Sequence, residues 1–157
     1  MKVFLIADGN GKEMGPVVEA LEKNSHSVLY WVGWQTGEEK KFPHIVFHNH
    51  FDARLGISAP GQDIQEFEPP SLELIGKLYK TESLAFANMR NTESQVGINK
   101  LKRHYHAMLQ YWFGVINKYK PDVIIFTIVP HHFYNFLIYG IAELLGIKII
   151  MFEDTWV

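Results

Sequence analysis

Apolar positions fall into two rhythms along this chain. Lys2-Val-Phe-Leu-Ile-Ala7 is an unbroken apolar run, the pattern of a strand covered on both faces. Asp8 to Gly15 follows as a glycine-rich loop. Pro16 suits the first turn of a helix, where its missing N–H would have no partner. Val17, Val18 and Leu21 form the apolar stripe of that helix, which the pattern ends near Lys23 with Asn24 as a left-handed stop. Ser27 to Val32 reads as a second strand, and Ile45 to Phe47, extending toward His50, as a third. Strand, helix, strand is the right-handed crossover unit of a parallel sheet.

The middle is less regular. Phe51 to Pro70 is broken by Gly56, Pro60, Gly61 and Pro69-Pro70 and reads mostly as loop. Ser71 is the expected N-cap of a helix in which Leu72, Ile75, Leu78 and Tyr79 recur at helical spacing, a pattern that continues toward Met89. Ile98, Leu101, Tyr105, Met108, Leu109, Trp112, Ile116 and Tyr119 make the stripe of a longer helix. It must stop before Pro121, because a residue preceding proline is pushed out of helical geometry. Asp122 to Val129 is another apolar strand, Phe133 to Leu145 a helix stopped by Gly146, and Lys148 to Phe152 the last strand.

This alternation predicts an α/β fold: a doubly wound, mainly parallel five-stranded sheet of order 3-2-1-4-5, Rossmann- or flavodoxin-like. At 157 residues the chain fits a single domain over 1–157. It stops directly after a strand with no helix to cover that side, so it reads as the N-terminal part of a longer protein. Lys148 to Phe152 would otherwise leave a bare apolar edge, and self-association around Ile149 to Trp156 is expected, with Trp156 as an anchor. The alternative is that residues 51–70 fold back over that edge.

Composition narrows the chemistry. The chain has no cysteine, which excludes disulfides, thiolate zinc sites and cysteine nucleophiles. Lys plus Arg number 15 against 17 Asp plus Glu, so the basic excess of a nucleic-acid binder is missing. Lys100, Lys102, Arg103, Lys118 and Lys120 cluster without an acidic residue among them, the pattern of a solvated helix face. Phe133 to Phe152 comes nearest to a membrane span, but Asn135, Glu143 and Lys148 interrupt it. A cytoplasmic domain without an integral membrane segment is expected.

Ligands of doubly wound sheets bind at the carboxyl ends of the strands, near the switch between first and fourth. Three loops converge there: Asp8 to Gly15, Pro130 to Phe133, and Glu153 onward. Gly9, Gly11 and Gly15 could let a phosphate approach backbone N–H groups. However, the acidic residue of a dinucleotide fingerprint is absent from Tyr30-Trp31-Val32-Gly33-Trp34, and Asp8 stands where a pyrophosphate would lie. The loop is therefore read first as a tight turn, with no cofactor assigned and a sugar or phosphate-bearing ligand left open. His131 and His132 follow the fourth strand, where an imidazole could serve as general base. His131, nearer the strand end, is the better candidate. His44, His48, His50 and Asp52 form a second cluster, with His48 and His50 on one face if the strand persists. Without a further patterned ligand these residues are read as lining a strand end beside the cleft, and no metal is assigned.

The segment Lys120-Pro-Asp-Val-Ile-Ile-Phe126, then Pro130-His131, then a helix into Leu145-Gly-Ile-Lys-Ile-Ile150 resembles the N-terminal domain of two-Rossmann-domain (GT-B-type) glycosyltransferases, especially those of capsule and surface-polysaccharide synthesis. The resemblance covers roughly residues 1–20 and 97–153. It implies an acceptor-side domain working with a nucleotide-sugar donor held by a second domain, and inactive in transfer by itself. It also implies a cleft-facing base, for which His131, Glu153 and Asp8 are the candidates, with Gly9, Gly11, Gly15 and His132 contacting ligand. Two other classes stay open: a non-catalytic nucleotide- or phosphate-binding flavodoxin-like module, and a self-associating interaction domain.

Overall fold

The computed structural model describes residues 1–8, 14–92 and 97–153. Its strands are β1 (Lys2–Ile6), β2 (Ser27–Gly33), β3 (Val46–Asn49), β4 (Val123–Phe126) and β5 (Lys148–Met151). All neighbours pair in parallel, in the order β3-β2-β1-β4-β5. The expected doubly wound Rossmann-like sheet is therefore observed. Its helices are α1 (Gly15–Lys23), α2 (His50–Leu55), α3 (Leu72–Lys77), α4 (Tyr79–Thr92), α5 (Ile98–Tyr119) and α6 (Phe133–Leu145).

Strand alternation divides the core in two. Phe4 and Ile6 of β1, with Ile124 and Phe126 of β4, face a layer built from α4, α5 and α6, where Tyr105, Leu109, Trp112, Tyr134 and Leu137 are buried. Val3, Leu5 and Ala7 face the other way, toward Val18 of α1 and the side chains of Trp31, Phe42 and Ile45. A register shift between Val3 and Phe4 passes over Leu29 in the pairing of β1 with β2. That extra residue puts Val28 on the second side and Tyr30 on the first. Tyr105, Trp112 and Tyr119 belong to the core side of α5, as their spacing predicts.

Local chemistry explains where the elements start and stop. Ser71 accepts from Leu74 N at 3.1 Å and caps α3, and Gly146 ends α6 at φ 66°. Lys120 takes the left-handed turn before Pro121 at φ 49°. Four expectations are corrected. Asn24 stays at φ −93°, and Ser25 is the left-handed residue after α1. The presumed loop after Phe51 begins with a helix, because the Asn49 side chain accepts from Phe51 N at 2.8 Å and turns β3 into α2. The periodic stretch from Leu72 to Met89 is two helices, interrupted at Leu78. The regular strands β4 and β5 end at Phe126 and Met151, earlier than the apolar pattern does.

β5 is an edge strand, and Phe152 beyond it is 59% exposed. Residues 51–70 do not cover that edge: α2 packs beside β3 and α6, and the turn Ile64–Glu66 lies on α5. Trp156 lies outside the described residues. Among the described residues, no helix is long and apolar enough to cross a membrane.

Candidate functional site

Asp8 leaves the carboxyl end of β1 and is only 4% exposed. Burying a lone carboxylate is costly, so the groups around it define the centre. β3 ends so that His50, the first residue of α2, places its Nδ1 against Asp8 Oδ1. The same Nδ1 lies 3.0 Å from the Tyr134 hydroxyl. From the first turn of α6, Asn135 Nδ2 donates to Asp8 Oδ2 at 2.6 Å. The β4–α6 connection supplies two more imidazoles: His131 Nε2 is 3.9 Å from Asp8 Oδ2 and His132 Nε2 is 3.7 Å from Oδ1. Both separations exceed hydrogen-bond length. Three parallel strands thus bring their carboxyl ends to one carboxylate, on either side of the β1–β4 switch point.

Packing fixes these rings. His132 stacks on Tyr134 at 6.2 Å and 16°, and Trp34, at the end of β2, stacks on His50 at 5.3 Å and 16°. Asn88 of α4 donates to the His131 carbonyl at 2.7 Å, tying the loop to the helical layer. His131 Nδ1 lies 3.1 Å from the Val129 carbonyl. A carbonyl can only accept, so Nδ1 carries the proton, and in the neutral ring Nε2 presents a lone pair.

Burial by itself would raise the Asp8 carboxyl. The hydrogen bond and charge of His50, the charge of His132 and the Asn135 amide outweigh it, holding Asp8 below its ordinary value as an anion. Burial lowers His132 to about 4 against the opposing pull of Asp8, with His131, His50 and Arg54 adding to the decrease. His132 is therefore neutral at pH 7 and a weak base. Burial, then the charge and hydrogen bond of Asp8, keep the Tyr134 hydroxyl protonated well above its usual range, with Arg54 opposing. The result is a buried anion faced by the Asn135 amide and by imidazole nitrogens, of which that of His132 is neutral at pH 7. Asn135 Oδ1 is buried without a hydrogen-bond partner among the described residues, and His50 Nδ1 stands against Asp8 Oδ1.

Of the residues singled out from sequence, Asp8, His131 and His132 come together here. Glu153 does not: it is exposed beyond β5 and outside the group of residues around Asp8. Gly9 and Gly11 lie outside the described residues. Gly15 is the first residue of α1, and its N–H donates to Glu38 Oε2 at 3.1 Å. A carboxylate already occupies the helix-terminal donor that a phosphate would use, and a Cβ at Gly15 would meet that carboxylate at 3.2 Å.

The second histidine cluster separates. His48 turns under α5 while His50 joins Asp8, and His44 pairs with Glu22 on the surface. His50, Asn135, Tyr134 and Trp34 complete the site. Of these, only His50 carried a sequence signal, its place at the end of a strand.

The site and sheet define a doubly wound α/β domain with a histidine–carboxylate centre at the switch point. No family model matches the chain, and no curated protein matches it. Among solved structures, the crystal structure of UDP-GlcNAc 2-epimerase from Neisseria meningitidis bound to UDP-GlcNAc is similar at a TM-score of 0.45 and 16% identity. That likeness covers 99% of this chain and 33% of the other, and it is too loose to transfer ligand or reaction. This chain thus spans about a third of the epimerase's length.

Proposed function

We propose that the domain binds a hydroxyl-bearing sugar ligand over the strand ends and serves as the acceptor side of a glycosyltransferase that uses a nucleotide-sugar donor. The observation that supports this is the buried Asp8 anion beside a lone-pair nitrogen on His131, opening to solvent where His131 is 40% exposed. A ligand hydroxyl between them would give its proton to His131 Nε2, and the Asp8 charge would offset the imidazolium that forms. The freed oxygen would bond to the donor sugar's anomeric carbon as the nucleoside diphosphate leaves. Neutral His132 would accept a hydrogen bond from a neighbouring hydroxyl. The resemblance of Lys120 to Phe126 and Leu145 to Ile150 to acceptor-side domains supports the same assignment. Residues 1–157 by themselves are expected to turn over no nucleotide sugar.

The alternative phosphate-binding module is disfavoured by charge. An incoming phosphate would face the Asp8 anion and would have to displace Glu38 from Gly15 N. Calorimetry with a saccharide panel and with mononucleotides separates the two. Saccharide binding that His131→Ala weakens by about 10-fold, the size of one lost hydrogen bond, is the expected result. Mononucleotide binding without any saccharide binding would overturn the assignment.

A further inference from the structure

We propose that Asp8, His131 and His132 form a binding site for one divalent transition-metal ion, with the Asp8 carboxylate and an imidazole nitrogen from each histidine as ligands. One ligand atom from each of the three lies within 4.8 Å of the other two. The separations of 3.9 and 3.7 Å from the carboxylate are too long for hydrogen bonds. They are close to the spacing of ligands around one ion: bonds of about 2.0–2.2 Å place tetrahedral neighbours roughly 3.3–3.6 Å apart. Those two distances run to different oxygens of the carboxylate, and a contraction of up to about an ångström from the 4.8 Å limit would close the shell around one oxygen and the two imidazoles.

The surroundings resemble those of a metal centre. His131 directs Nδ1–H to the Val129 carbonyl, which leaves Nε2 as a lone pair on the Asp8 side. Imidazole ligands are commonly oriented by such a hydrogen bond on the far nitrogen. Asn135 Nδ2 holds Oδ2 of the carboxylate, and His50 Nδ1 stands against Oδ1. Two imidazoles and one carboxylate suit zinc, iron(II) or cobalt(II) and fill only part of a coordination sphere. The exposed side of His131 leaves room for water or a ligand hydroxyl. The cation and the proton of the proposed transfer would use the same lone pair, so a loaded site would acidify the hydroxyl through the metal, with His131 as a ligand.

Chelator-dialysed protein titrated with Zn²⁺ by calorimetry, and with Co²⁺ by visible absorption, tests this site without any sugar present. Saturable binding of one ion per chain is expected, with the intense bands of low-coordinate Co²⁺. His131→Ala, at a side chain 40% exposed, is expected to weaken Zn²⁺ by at least about 10-fold, since even outer-sphere losses have that effect. His44→Ala, which removes the surface pair with Glu22 and an edge contact with Phe42, should leave the affinity unchanged. No saturable Zn²⁺ binding, or binding that His131→Ala leaves intact, would overturn the site. Either failure leaves the saccharide assignment standing, and loss of saccharide binding leaves the Zn²⁺ titration unaffected.

Discussion

His48 and His50 are two residues apart, yet the structure uses them in opposite ways. His48 sits 1% exposed under α5. Its Nε2 lies 2.8 Å from the Ile57 carbonyl, which can only accept. The proton is therefore on Nε2, so Nδ1 accepts from the Tyr30 hydroxyl at 2.8 Å. Tyr30 in turn accepts from Tyr111 at 2.7 Å, and Tyr111 from Ala59 N at 2.9 Å. One tautomer satisfies every member, and the chain ends on backbone groups. Around Asp8 the corresponding chain stays open, with Asn135 Oδ1 unmatched and His131 Nε2 3.9 Å from the nearest carboxylate oxygen. A closed polar network contributes stability and uniqueness; an open one at a strand end has capacity left for a ligand.

If that contrast is right, the largest stability change comes from the closed network. His48→Ala removes a stacked ring beside Trp112 and orphans both the Tyr30 hydroxyl and the Ile57 carbonyl. It is expected to destabilise by about 3–4 kcal/mol in urea unfolding. Asp8→Asn should stay within about 1 kcal/mol of wild type, because it also removes a buried charge. A larger effect at Asp8 than at His48 would reverse the assignment of roles.

Titration sharpens the comparison next. Burial lowers His48 from an ordinary value near 6.5 to about 4, against the Ile57 hydrogen bond and Asp52, which raise it. Between those values the unfolded chain binds a proton that the folded chain refuses. Stability therefore falls as pH drops from about 6.5 to about 4, by as much as ~3 kcal/mol from this residue. Thermal melts across that range should show the fall, and His48→Gln should reduce it, leaving the part contributed by His132. A wild-type slope unchanged by His48→Gln would place the titrating group elsewhere.

Tyr111→Phe makes a smaller break, leaving Ala59 N without its acceptor and Tyr30 without a donor. A loss of about 1–2 kcal/mol is expected, measured by the same unfolding curves. A neutral result would mean that water can replace the hydroxyl within the network.

How much of this was legible beforehand follows from the physics of each residue. β1 and β4 declared themselves because strands buried on both faces carry continuous apolar runs. Gly146 and Pro121 are local backbone constraints, readable from the residue type. Asp8, His131 and His132 were legible by position, since strand carboxyl ends near the switch point form the crevice of this fold. His50 was harder to place, because period-2 alternation grouped it with His48. The Asn49 cap ends the strand between them and rotates His50 toward Asp8. Tyr134 and Asn135 were invisible, as a tyrosine in an apolar helix reads as core and one asparagine there reads as an interruption. The occupation of Gly15 N by Glu38 is a contact 23 residues apart in sequence, which no local pattern encodes.

The division between a closed and an open histidine network is tested most directly by long-range ¹H–¹⁵N spectra of the imidazole rings, recorded alone and with Zn²⁺ or saccharide added. His48 should appear as the neutral Nε2–H tautomer and remain unmoved by either addition. His131 should appear as the Nδ1–H tautomer, with its Nε2 resonance shifting as ligand is added. A His48 resonance that responds to ligand, or a His131 ring protonated on Nε2 and indifferent to both additions, would contradict the account.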